Sequence, residues 1–267
     1  MSTQSDRKIK EPVAEYTVDG PARNAQTPAD PYYYYYDSHP TEEDLMGDTV
    51  PHDQANFHLR QVLDWLFDEK GFLVAYNLNI YTAGRRKDYP LAPDLAVYPQ
   101  LLRPDRGGPY LTSWSLAVPG QSAPAVVFEV ASEETWGKDV TEKPARYAAM
   151  GVEEYYFFTP DPGAIRGSPR LLGWRGVGGR AVPVELDEQG CLWSEWLQSR
   201  LVPEDHDLAL YDIAGSRRLT AAEAAEARSD RLVAEKSAAE AAERAAQARS
   251  DRLEALLKAH GIDPDQH

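Results

Sequence analysis

The stretch PAVVFEVASEETWGKDVTEKPARY, residues 124–147, decides how this chain is read. It opens with the apolar run of a buried strand and sets a carboxylate, Glu129, among the valines. Ionised carboxylates are almost never fully buried without a partner or a metal, so Glu129 must hold something. The second half turns helical through Pro144, Tyr147 and Met150 and stops at Gly151. A proline is tolerated only in the first turn of a helix, so the helix is expected to begin near Thr141, with its positive end close to Glu129.

Upstream, Phe57, Val62, Leu63, Leu66 and Phe67 recur at helical spacing from Asp53 to Gly71. FLVAYNLNIYT (72–82) and LAPDLAVY (91–98) carry the β-branched and aromatic content of strands. A Pro- and Gly-containing loop is expected over 99–123. Downstream, EYYFFT (154–159) reads as a strand, and RLLGWR (170–175), AVPVEL (181–186) and DLALYD (207–212) read as a β-rich annex. The order helix, three strands, helix, strand predicts a mixed-sheet α/β domain of about 180 residues.

Residues 1–30 are polar and aperiodic, which predicts a disordered arm. Tyr32 to Tyr36 are five tyrosines in a row and are expected to lie against the domain or to act as a base-stacking platform. From Leu219 to His260 the composition turns to Ala, Glu and Arg, which predicts one long helix. ARSDRL occurs at 227–232 and 248–253, three heptads apart, and places Leu232, Ala239, Ala246 and Leu253 on one heptad position. Such a helix either self-associates, as in a dimer, or serves as a solvated or partner-docking arm.

The chain carries 28 Lys plus Arg against 43 Asp plus Glu, a formal net charge of −15, which repels nucleic acid at long range and anionic membranes. A nucleic-acid role therefore needs metal ions or a local basic patch, for which Arg85, Arg86, Lys87, Arg103 and Arg106 are candidates. No apolar run is long enough for a membrane span and the N-terminus lacks an apolar leader core, so a cytoplasmic protein is expected. Cys191 is the one cysteine and forms no internal disulfide.

Two acids sit at the inner ends of the expected strands, Asp94 after Pro93 and Glu129 after Phe128. On neighbouring strands they converge, and their oxygens suit a hard cation such as Mg²⁺. Lys138, Asp139 and Lys143 lie at or near the next helix start, where a lysine could orient or deprotonate water and stabilise charge on a phosphate. Two acids, a metal and a lysine suit hydrolysis of a phosphodiester. On spacing alone, Asp94 capping a turn and Glu129 pairing with Arg146 remains open. His52 and Asp53 read as a surface histidine and an N-cap, or as groups projecting toward the site.

Pro93-Asp94, Glu129-Val130-Ala131-Ser132, Asp139 to Lys143 to Tyr147, Gly151-Val152-Glu153-Glu154-Tyr155-Tyr156 and Asp161-Pro162 together resemble the motifs of the Uma2 endonuclease family. The resemblance covers about residues 40–215. It implies a restriction-endonuclease-like αβββαβ core of the PD-(D/E)XK type, with Mg²⁺ or Mn²⁺ on Asp94, Glu129 and the Val130 carbonyl, and DNA as substrate. In the simple E-x-K form of the motif, position 131 would be lysine, but Ala131 stands there. The family spacing nominates Lys143 instead, with Lys138 as competitor, and Tyr147 as a core residue or a substrate contact. The domains are then a 1–30 arm, a 31–215 nuclease domain and a 219–260 helix. The competing expectation is a catalytically degenerate scaffold that recruits a partner through that helix.

Overall fold

The computed structural model describes residues 35–37, 49–83 and 89–259. The expected arm, Tyr32 to Tyr34, and Arg85, Arg86 and Lys87 lie outside the described residues. Helix α1 (Val50–Leu66) opens on Pro51 and buries Ala55, Leu59, Val62 and Leu63, spaced three and four apart as an amphipathic face requires. Phe57 departs from the expected face and is 65% exposed.

Strands β1 (Phe72–Tyr76), β3 (Leu95–Leu102), β5 (Val126–Val130), β6 (Glu154–Phe158), β7 (Leu171–Val177) and β8 (Arg180–Pro183) form one six-stranded sheet in that order. Only the β5/β6 pair is parallel, and helices α2 (Trp136–Thr141) and α3 (Lys143–Met150) make its crossover. The remaining pairs are antiparallel. This is the expected αβββαβ core, a mixed α/β fold of restriction-endonuclease-like architecture. The two faces of β5 alternate as a strand demands. Val126, Phe128 and Val130 pack with α1, whereas Val127 joins Tyr147, Val152 and Tyr155 under α3.

Several expectations are corrected. RLLGWR and AVPVEL belong to the main sheet, because β7 returns antiparallel on β6. The annex is instead β9 (Leu192–Ser194), β10 (Ser199–Glu204) and β11 (Asp207–Tyr211). The 99–123 loop is partly ordered: β3 continues to Leu102, and β4 (Ser113–Ser115) pairs in parallel with β2 (Asn79–Tyr81). Asp37 ties this small sheet to the N-terminal side by accepting from Asn79, Tyr81 and Ser113, and Tyr36 packs edge-on to Tyr89.

Helical structure begins at Trp136 rather than Thr141. Pro144 has no N–H to donate back and disfavours helical backbone in the residue before it, so the helix breaks at Glu142 and restarts with Pro144 in its first turn. Gly151 ends α3 at φ +100°, a conformation open mainly to glycine. Helix α4 (Ala221–Ala259) runs 39 residues with no buried residue, and Leu232 and Leu253 on the repeated heptad position are exposed.

Gly176 on β7 lets the sheet close against the end of α3. Its N–H donates to the Glu153 carbonyl at 2.9 Å, and a Cβ there would stand 2.1 Å from the Val152 carbonyl oxygen. Gly176→Ala is therefore expected to cost about 1–3 kcal/mol, as forced overpacking does. Gly137→Ala, in α2 with open space around it, should be neutral or stabilising by up to about 1 kcal/mol. Urea unfolding of both variants checks the pair, and equal midpoints would contradict the packing.

Candidate active site

The register of the sheet builds the site. Leu95 on β3 lies opposite Phe128 on β5, so one step further along the antiparallel pair sets Asp94 opposite Glu129. Residues facing each other across such a pair have Cβ atoms about 4.5–5.5 Å apart. Asp94 Oδ2 accepts the Val130 N–H at 2.7 Å, which pins the carboxylate where β3 begins. The two acids stand together at one end of neighbouring strands, as the sequence predicts.

Glu129 is 3% exposed, and its Oε1 has two partners. Tyr147 donates its hydroxyl to Glu129 Oε1 at 2.6 Å, and Lys143 Nζ lies 2.9 Å from the same oxygen. Lys143 also lies 2.7 Å from Asp139 Oδ1. Asp139 is buried in turn; Thr135 donates to its Oδ2 at 3.0 Å, and Tyr155 donates to its main-chain carbonyl. Lys143, at the start of α3, reaches back one turn to Asp139 on α2 and across to Glu129 on β5.

Lys143 is the lysine that contacts Glu129, whereas Lys138 is exposed on α2. Arg146 is exposed as well and does not supply the counter-charge once open to it. Tyr147 is buried to 0% exposure in the core under α3, as the core reading expects, and its hydroxyl is also spent on Glu129. Trp136 packs against Ala131, Phe157 and Ile165 beside the site.

His52 is corrected most sharply. It is buried, with Nε2 3.6 Å from Asp94 Oδ1, so it is no surface residue. Asp53 is not the N-cap; Thr49 holds that position. Asp139 as a buried member of the site was undervalued by the sequence reading, although its spacing of four from Lys143 was visible. The basic-patch candidates Arg103 and Arg106 both lie against Asp68, at 2.9 and 3.2 Å, so their charge is answered within the chain.

The electrostatics follow from crowding. Burial raises the Glu129 carboxyl to about 8; Lys143 opposes that rise and the charges of Asp139 and Asp94 add to it. Asp139 is likewise raised by burial. For Lys143, burial alone would lower the ammonium, but the two carboxylates outweigh it and hold the pKa above its ordinary value. Lys143 is therefore a fixed positive donor. Glu129 and Asp139 share the one ammonium of Lys143 with Asp94 close by, and such crowding of acids favours keeping a proton.

The sign of the pH dependence follows. Between about 4.5, the ordinary glutamate value, and about 8, folded Glu129 keeps a proton that the unfolded chain releases. Its contribution to stability is present below that window and is lost as pH rises through it. In metal-free buffer the urea midpoint should fall from pH 5 to pH 8, and the fall should be smaller in Glu129→Gln. Parallel pH profiles for the two proteins would refute this.

Among the described residues, no three His, Cys, Asp or Glu side chains gather into a group that could hold a metal ion. No described helix is long and apolar enough to cross a membrane. A family model described as "Uma2: Putative restriction endonuclease" matches residues 27–195. Among solved structures the chain is similar to "a putative nuclease belonging to DUF820" from Anabaena variabilis ATCC 29413, at 13% identity and a TM-score of 0.43, covering 60% of this chain and 82% of that one. None of the curated proteins matches the chain. With the family match spanning more than half the sequence and every motif from Pro93-Asp94 to Asp161-Pro162 within it, the chain belongs to the Uma2 family.

Proposed function

We propose that the chain is a divalent-metal-dependent nuclease that hydrolyses DNA phosphodiester bonds, working in the cytoplasm. The observation that carries this reading is the convergence of Asp94, Glu129 and Lys143, brought from two strands and a helix to one point. The donor chemistry fits Mg²⁺ or Mn²⁺. Magnesium commonly takes only one or two protein carboxylates and keeps several waters, so a site with fewer than three clustered ligands still suits it. Asp94 and Glu129 would hold the ion, with the Val130 carbonyl as a further oxygen.

Bound there, the ion supplies Lewis acidity to the phosphoryl oxygen and a more acidic water. The chain's own groups do the rest. Asp94, fixed by the Val130 N–H, presents Oδ1 in a set position. Tyr147 fixes the orientation of Glu129. Lys143 remains protonated, so it stabilises charge on the phosphate and orients water as a donor, and the proton-accepting role falls to a carboxylate. In this reading residues 31–215 form the nuclease unit and 219–260 an appended helix.

A second reading rests on two specific observations. Glu129 is already neutralised in place by Lys143 and Tyr147, and α4 is exposed along its length. Both suit a catalytically degenerate module that binds a partner, or a second copy, through residues 219–260. Calorimetric titration with Mg²⁺ and Mn²⁺, beside cleavage of single- and double-stranded DNA and of RNA, separates the two. The nuclease reading expects metal-dependent cutting that falls at least about 100-fold in Asp94→Asn and in Glu129→Gln. Intact DNA, with Mg²⁺ bound no better than by the double variant, leaves the scaffold reading standing.

A further inference from the structure

Helix α4 leaves the body from a fixed start. The Glu223 N–H donates to Thr220 Oγ1 and the Thr220 N–H donates to Glu223 Oε2, a reciprocal cap. Arg217 Nη1 lies 3.4 Å from Glu223 Oε1 and ties the same turn to the annex side. From residue 225 to residue 259 every position is exposed, so α4 stands out from the domain as an arm. Leu232 is 59% exposed and Leu253 55% exposed on it. They lie three heptads apart and therefore on one face of a helix that supercoils with another.

The charges between these leucines decide what covers them. Glu235 follows Leu232 by three residues and Arg249 precedes Leu253 by four, so both fall on the complementary seam position, with Ala242 midway between them. In a parallel pair of copies like numbers meet. Glu235 then faces Glu235 and Arg249 faces Arg249, and both contacts repel. In an antiparallel pair Glu235 comes beside Arg249 of the second copy, Leu232 beside its Leu253, and Ala239 beside its Ala246. These three pairs share one midpoint, near Ala242, as the two-fold axis of a closed dimer requires. A foreign helix would impose no such symmetry on this sequence. Arg231 and Arg252 also approach each other across the axis, but at the solvent-facing margin, where salt screens them.

We infer that α4 pairs antiparallel with α4 of a second copy, through the face that carries Leu232, Glu235, Ala242, Arg249 and Leu253. The alanines bury little area, so the leucines hold the pair at its ends and the two Glu235–Arg249 ion pairs fix its direction. The two bodies then sit at opposite ends of a shared rod, about 60 Å apart along its axis. This pairing goes beyond the nuclease reading and stands whether or not the Asp94 site cuts nucleic acid.

Sedimentation equilibrium of the full chain should give twice the chain mass. Glu235→Arg, which sets arginine against Arg249 at two places, should weaken the dimer about tenfold, and adding Arg249→Glu to the same chain should restore it. In a parallel dimer neither change would matter, because like would still face like. Direction is read separately with a short bismaleimide: Leu232→Cys and Leu253→Cys proteins should crosslink when mixed and not when each is alone. Cys191 is buried, and the wild-type chain serves as its control. All four substituted positions are exposed, so far-UV circular dichroism should match wild type. A monomer, any mass other than a dimer, a Glu235→Arg chain that associates as wild type, or crosslinking of either cysteine variant alone overturns the assignment.

Discussion

A carboxyl group buried in the middle of a sheet needs partners for its oxygens, and Lys143 and Tyr147, both on Glu129 Oε1, answer that constraint. Much of the surrounding structure serves it. The four-residue spacing sets Lys143 beside Asp139, and the antiparallel pairing of β3 with β5 adds a second acid opposite Glu129. Tyr147, one turn after Lys143, fills the remaining hydrogen-bonding need of the same oxygen. Replacing any one of these groups leaves another buried and unpaired, so they stand or fall together.

The core αβββαβ order was legible because its signals are local. Apolar runs mark β5 and β6, a helical stripe marks α1, and the acids and lysine sit at recognisable spacings. Asp94 and Glu129 stand out by their places at strand ends and Lys143 through the resemblance to the Uma2 motifs, and the structure sets Lys143 2.9 Å from Glu129. What was misread depends on tertiary contact. Nothing in PHDQANF distinguishes a surface histidine from one buried against Asp94. Arg103 and Arg106 resemble a basic patch until Asp68, some 35 residues earlier in sequence, is found between them. The β9 and β10 segments carry too few apolar residues to announce strands, and only their pairing with β11 makes them so. α2 was hidden because Gly137 and the polar Lys138-Asp139 obscure any helical period.

The chain's acidity takes a different meaning once the ion pairs are placed. Much of the described basic charge is committed internally: Arg103 and Arg106 to Asp68, Arg200 to Asp187, Lys143 to the site. Long-range attraction cannot gather a polyanion to such a surface.

Glu154 is a further buried carboxylate, and it is satisfied in another way. On β6, it accepts from the hydroxyls of Tyr156 and Ser194 and from the main-chain N–H groups of Glu195 and Trp196. Three of these four donors come from the annex. If the annex were cut away, an acid at the centre of the main sheet would lose most of its partners. A chain trimmed at the end of β8 would leave Glu154 with Tyr156 alone among these donors, however self-sufficient the six-stranded sheet looks.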